Sequence, residues 1–227
     1  MIYVFDQFDY YNSEKMDILY RFLPPKRKKK ALSYFFLKDR KLCCLSYLLL
    51  IYGMISEGLV RYDISSFVDF QIDKNGKPFI NDQNSIQFNI SHCDKAVACG
   101  ISCHPIGVDV QDFDTQVDED TMRLAFSVNE ISDIHKSASI ECSIARYWAI
   151  KESYYKCLGT GINDNMDQID FSVFHSDNFI KEGLSFGILK MKNYYLSVCE
   201  RKLSSEKLNV FNISPQQLEE VLFSFLL

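Results

Sequence analysis

The sequence predicts an α+β protein, and three observations predict it. A strand-like start, Met1 to Phe8, leads into a long helical region over about Lys26–Ile55. There apolar residues recur at mostly three- and four-residue steps, among them Leu32, Phe35, Phe36, Cys43 and Leu49. Short alternating or apolar runs follow at 67–72, 86–90, 96–101 and 107–111. A second set of helical and then strand-like segments completes the chain. Two halves of about 110 residues fit this order, with only weak internal similarity between them.

With 227 residues the chain buries roughly 70–75% of its unfolded surface, so it needs neither disulfide nor metal to fold. Hydrophobic residues make up 47% and charged residues 24%, which excludes disorder, collagen and coiled coil as the main class.

Each element has a local reason. Pro24-Pro25 suits the start of a helix, because proline lacks the N–H that a first turn leaves unpaired. Asp73-Lys74-Asn75-Gly76 is a turn signal, and Lys77 to Ile80 leaves it. Ile86–Ile90 alternates, with Phe88 and Ile90 on one face; Ala96–Ile101 reads as a buried strand and Gly107–Gln111 as a further one. Asp112–Asp120 is acidic and free of basic residues, which suits a linker. Helical segments are expected at about 119–136 and 140–158, and strands at Phe171–Phe174, Leu184–Lys190 and Tyr194–Glu200.

No signal peptide is expected at the N-terminus, which lacks a basic segment and a small-residue cleavage site. The longest apolar run, about Leu45–Ile55, contains Ser46, Tyr47, Tyr52 and Gly53 and is too short and mixed to span a bilayer. A soluble, cytoplasmic protein with no membrane partner is the expectation. None of the eight cysteines forms a Cys-x-x-Cys pair, so they read as reduced core filler. The net charge of −5 is uneven. Residues 21–41 hold nine basic residues and one acid, a local +8, and leave −13 for the rest. One basic segment on an acidic chain suggests a local anionic partner and excludes a nucleic-acid coat. A solvated helix start accounts for the same charge equally well.

Three segments carry the candidate chemistry. Phe88-Asn89-Ile90-Ser91-His92 ends a strand in a hydroxyl and an imidazole, groups suited to phosphate. A lone strand-end histidine is more often structural. In Gly107-Val108-Asp109-Val110-Gln111 the two valines share one strand face, so Asp109 and Gln111 share the other and can offer oxygens to one hard cation. Viewed alone, an exposed acidic strand edge is the commoner explanation. On a helix, Trp148, Glu152 and Lys156 fall at i, i+4 and i+8, along one side. A surface Glu–Lys pair would be ordinary there, but the only tryptophan one turn earlier argues against a plain solvent face.

In this order and spacing the three segments resemble the 4′-phosphopantetheinyl transferase superfamily, of the surfactin-synthetase-activating (Sfp) type. That family's pattern is Phe-Asn-x-Ser-His, Gly-[Ile/Val]-Asp-[Ile/Val]-Glu and Trp-x-x-Lys-Glu-[Ser/Ala]-x-x-Lys. The similarity includes Pro24 to Lys29, Gly76-Lys77-Pro78 and Ala125-Phe126-Ser127-x-x-Glu130, and covers about residues 24–160. The resemblance implies two similar α/β halves in a pseudo-twofold arrangement, residues 1–111 and 112–227, with the active site between them. The length fits the monomeric, pseudo-dimeric type.

The implied activity moves the phosphopantetheine arm of coenzyme A to a serine of an acyl or peptidyl carrier protein and releases 3′,5′-ADP. Asp109, Gln111 and Glu152 would hold Mg²⁺, or Mn²⁺. Glu152 would be the general base, and Lys156 would stabilise the leaving phosphate. Ser91 and His92 would contact coenzyme A phosphates, Lys26 and Lys29 the 3′-phosphate, and Lys77 and Pro78 the adenine side. One position departs: residue 111 is Gln where the best-known members have Glu, so the metal site carries one negative charge fewer. A Mg²⁺-dependent phosphohydrolase and a non-catalytic coenzyme A-binding homologue are the rival expectations.

Overall fold

A computed structural model describes residues 1–60, 71–80, 86–161, 165–203 and 207–224. The chain begins with β1 (Ile2–Phe5), in which every residue is buried. Alternate side chains leave a strand on opposite faces, so such a strand has both faces covered. Tyr3 and Phe5 join a core with the long helix α3 (Leu37–Ser56), while Ile2 and Val4 pack into a second core with Val108, Val110, Leu196 and Val198. β1 therefore lies between a helix and another sheet.

The first sheet has the order β10-β1-β5-β4, with β5 at Val97–Ser102, β4 at Gln87–His92 and β10 at Val210–Asn212. The second is antiparallel, β6-β9-β8-β7: Ile106–Asp112, Tyr194–Glu200, Leu184–Lys190 and Asn178–Lys181. Helix α6 (Ile140–Leu158) covers its outer face on β6 and β9. The layers are helix, sheet, sheet, helix, and the α+β class is as the sequence predicts.

The helical region at 26–55 is two helices, α2 (Pro25–Ser33) and α3, after a short α1 (Met16–Arg21) that was not expected. Tyr34 and Phe36 are extended between them, with ψ 139° and 140°. The Arg40 Nε donates to the Tyr34 carbonyl at 2.8 Å, and the Tyr34 N–H donates to Ala31 O at 3.4 Å. Three consecutive aromatics, weak helix formers, make that corner. The segment at 119–136 is likewise two helices, α4 (Glu119–Ala125) and α5 (Val128–Lys136), because Ser127 and Glu130 form a reciprocal capping box that starts a new helix. Phe171–Phe174 is a turn closed by Phe174 N–H to Phe171 O at 3.0 Å, not a strand; the strand is β7. The strand expected at 67–72 is described only at Gln71–Ile72 (β2), which pairs with Pro78–Phe79 (β3) around the expected turn; residues 67–70 lie outside the described residues.

The ladders divide the chain differently from a cut at residue 111. β6 belongs to the second sheet, whereas β10 and the C-terminal α7 (Pro215–Ser224) return to the first sheet and to α3. Periodicity reveals strands but not their neighbours, so this return was invisible in the sequence.

Candidate active site

The site forms where the edge strands β4 and β6 meet under α6. Main-chain bonds do not join these edges as a ladder. Side chains of β4 do it instead: Asn89 Oδ1 accepts from the Val108 N–H at 2.8 Å, and Ser91 Oγ accepts from the Val110 N–H at 3.3 Å. Asn89 and Ser91 sit two residues apart, as do the two N–H groups, so the period of both strands matches. Both side chains are buried.

Gly107 brings the helix down on this seam. A Cβ there would lie 2.0 Å from the Ser153 carbonyl oxygen and 2.4 Å from the Cys157 N. Only glycine lets β6 and α6 touch backbone to backbone, and this places Asp109 under the last turns of α6. Ser153 Oγ and Ser197 Oγ, 2.8 Å apart, hold the helix to β9 as well.

Asp109, Glu152, Lys156 and Ser91 then converge. The Lys156 Nζ donates to Asp109 Oδ1 at 2.6 Å and to Ser91 Oγ at 3.1 Å, and stands 3.7 Å from Glu152 Oε2. Ser91 donates its proton to Asp109 Oδ1 at 2.7 Å. Asp109 Oδ2 is buried with no hydrogen-bond partner. Such an orphan costs about 1–3 kcal/mol or more when charged, and marks a place where something else binds. Burial pushes Glu152 above the ordinary carboxylate range. The Lys156 charge opposes this, and the Asp109 charge adds to it. A carboxylate poised upward and facing an ammonium is suited to proton transfer.

Two cavities open beside this cluster. One, of about 290 Å³, is lined by Glu152, Lys156, Tyr155, Asn89 and the β2–β3 turn. The other, of about 320 Å³, is lined by Arg27, Lys30, His92, Ser46, Tyr34 and Asp39, among others. Gly76, Pro78 and Ile90 line both, so the two form one cleft with a carboxylate end and a basic end. Ser46 Oγ is buried there without a hydrogen-bond partner. His92 is solvent-accessible on the cleft wall; desolvation by the protein around it lowers its pKa below the ordinary imidazole value, and the Lys156 charge adds to the shift.

Comparison with known proteins places the chain in a family. A model of the 4′-phosphopantetheinyl transferase superfamily matches residues 105–207, and a model of the N-terminal part of 4′-phosphopantetheinyl transferases matches residues 12–103. The chain belongs to the 4′-phosphopantetheinyl transferase superfamily. It is 28% identical to the 4′-phosphopantetheinyl transferase Sfp of Bacillus subtilis, over 73% of each chain. It is 28% identical to the L-aminoadipate-semialdehyde dehydrogenase-phosphopantetheinyl transferase of Saccharomyces cerevisiae, over 87% of this chain and 80% of that one. A match at 38% identity to the 4′-phosphopantetheinyl transferase gsp of Aneurinibacillus migulanus spans 41% of this chain and 39% of that relative.

In this transferase, Asp109, Glu152, Lys156, Ser91, His92, Lys77 and Pro78 come together at one cleft. Others do not. Lys26 and Lys29 stand exposed on α2, outside the residues lining the basic cavity, which takes Arg27 and Lys30 from the same helix. Five consecutive basic residues give no periodicity from which to choose a face. The Lys77 ammonium donates to the carbonyls of Lys156 at 2.6 Å and Ile106 at 3.1 Å, and Asn75 Nδ2 to Gly159 O at 2.6 Å. The bonds to Lys156 and Gly159 satisfy the end of α6, where carbonyls are left over and cations are favoured, and the bond to Ile106 ties that end to β6. Lys77 thus fixes the helix, and burial lowers its pKa. The Gln111 Nε2 donates to Thr115 Oγ1. Ser46, Arg27 and Lys30 were missed; the stripe Asp39, Leu42, Cys43, Ser46 on α3 is the signal that could have found the serine.

Proposed function

We propose that the chain carries the 4′-phosphopantetheine group from coenzyme A to a serine of an acyl or peptidyl carrier protein and releases 3′,5′-ADP. The observation that carries this reading is the shared wall of Gly76, Pro78 and Ile90. It joins a basic cavity, fit for the phosphates of a nucleotide, to a carboxylate–ammonium cluster fit for phosphoryl transfer.

In this reading Arg27, Lys30, His92 and the Ser46 hydroxyl bind phosphate oxygens at the basic end. Ser91 orients Asp109 and Lys156 rather than binding phosphate, since its one proton is given to Asp109. Glu152 accepts the proton of the carrier serine. The serine oxygen bonds to phosphorus as the bridging P–O bond to the leaving 3′,5′-ADP breaks, and Lys156 neutralises the charge left on that phosphate.

A hard divalent cation fits the donor set: Asp109 Oδ2 is buried and unpartnered, and Glu152 faces the same cleft. Among the described residues no group of three or more His, Cys, Asp or Glu converges, so substrate phosphates and water would complete the shell, as Mg²⁺ prefers. Asp109 and Glu152 would hold it, with position 111 contributing its amide oxygen or leaving its place to water. Once bound, Mg²⁺ supplies Lewis-acid stabilisation of the phosphoryl oxygens.

A panel of apo-carrier proteins incubated with coenzyme A and Mg²⁺, read by intact-protein mass, tests the reading. A gain of one phosphopantetheinyl group is expected on at least one carrier. Phosphate release without carrier labelling would assign a hydrolase, and binding of coenzyme A without either product a non-catalytic homologue.

A further inference from the structure

The corner between α2 and α3 is an unusual piece of surface. Tyr34 and Asp39 line the basic cavity, but Phe35 and Phe36, between them in the chain, do not. Phe35 is 86% exposed and Phe36 64%, the former among the most exposed large apolar side chains in the described residues. Their rings meet edge to face at 5.1 Å, so they form one knuckle. Leu32, also exposed, lies three residues before Phe35, with Lys28 and Lys29 one turn earlier on the same side of α2. The knuckle is rigid. Arg40 donates to the Tyr34 carbonyl through Nε and to Phe36 O through its main-chain N–H at 3.2 Å, and the Ser33 hydroxyl donates to Lys30 O at 2.7 Å.

Nothing among the described residues covers these two aromatic rings. Exposed aromatics fixed beforehand, with a basic rim, have the make-up of an interface hot spot. The substrates identify the partner. Coenzyme A enters the cleft alone, but the acceptor serine arrives on a folded protein whose bulk must rest on the rim. Tyr34, directly before the knuckle, and Asp39, three residues after it, line the basic end of that cleft, so the rim at Phe35–Phe36 borders the cleft. The surrounding lysines belong to the +8 segment of a chain that is otherwise −13. They favour a partner surface that sets carboxylates around an apolar pocket.

We infer that Phe35, Phe36 and Leu32, rimmed by Lys28 and Lys29, form the docking knuckle for the carrier protein. It recognises an apolar pocket flanked by acidic side chains next to the acceptor serine. This rests on the transferase reading above, and the experiment separates the two.

Carrier labelling kinetics of the wild type and of Phe35→Ser/Phe36→Ser are compared by intact mass, and coenzyme A affinity by calorimetry. Exposed residues tolerate such changes without loss of fold. The KM for the carrier is expected to rise about tenfold or more, with coenzyme A affinity unchanged. Lys28→Glu is expected to raise that KM further and to flatten its salt dependence. An unchanged carrier KM in a wild type that labels carriers would overturn the docking inference alone. An equal loss of coenzyme A affinity would assign the corner to the nucleotide, and a wild-type dimer that the double substitution dissolves would assign it to a second copy; either overturns the inference. A wild type that labels no carrier removes the transferase reading and this inference with it.

Discussion

Glu152 is where burial and chemistry meet. Its pKa is pushed up chiefly by desolvation, and the Lys156 charge opposes the rise. In the proposed mechanism Glu152 acts deprotonated, so activity is lost as pH falls through that pKa. The acidic limb of kcat/KM should therefore lie above the ordinary glutamate value of about 4.3. Position 111 gives a second residue-scale test. Gln111→Glu restores a negative charge beside Asp109, and the Mg²⁺ concentration for half-maximal activity should fall. Superimposable Mg²⁺ titrations of the two proteins would count against a place for residue 111 at the metal. At this scale the sequence was informative in singling out Asp109, Glu152 and Lys156, which the structure brings into one cluster. It was silent where orientation decides. Ser91 and Lys77 look like ligands in a motif, yet one turns inward to Asp109 and the other spends its ammonium on carbonyls.

At the scale of elements, the motifs act largely as joints. Gly107 sets the β6–α6 approach, and Gly107→Ala forces a methyl group against the Ser153 carbonyl. Overpacking against rigid backbone should cost at least about 3 kcal/mol and abolish carrier labelling together with the thermal transition's cooperativity, seen by calorimetry. Lys151, beside the base in the chain, turns the other way. Its ammonium is fully buried on Glu130 at 2.8 Å and donates to the carbonyls of Met166 and Ile169, both at 2.6 Å. Glu130 in turn accepts from the main-chain N–H of Ser127 and of Phe171. Lys151→Met would strand a buried carboxylate and should lower stability by about 3–5 kcal/mol in denaturant unfolding, while a folded fraction keeps its coenzyme A affinity. This explains why Ala125 to Glu130 and Trp148 to Lys156 occur together: one buried pair ties α5 to α6. Helix breaks were less legible, because a capping box and an aromatic corner interrupt patterns that are continuous in hydrophobicity.

For the whole molecule, two four-stranded sheets stacked between α3 and α6 place the cleft at the seam of their edge strands. The α+β class and most strands were readable from alternation. The return of β10 to β1 was not, since pairing across some 200 residues leaves no local mark. The charge split also takes on a spatial meaning. Arg27 and Lys30 of the basic segment face the cleft, Lys28 and Lys29 face outward, and the acidic remainder supplies Asp109 and Glu152. The transferase reading is tested most directly by carrier labelling with the wild type and Glu152→Gln side by side, by intact mass with coenzyme A and Mg²⁺. The wild type should add one phosphopantetheinyl group and release 3′,5′-ADP in equal amount. Glu152→Gln should bind coenzyme A as before and label about 10²–10⁴ times more slowly. Equal labelling by both proteins, or phosphate release with no mass gained by the carrier, would contradict it.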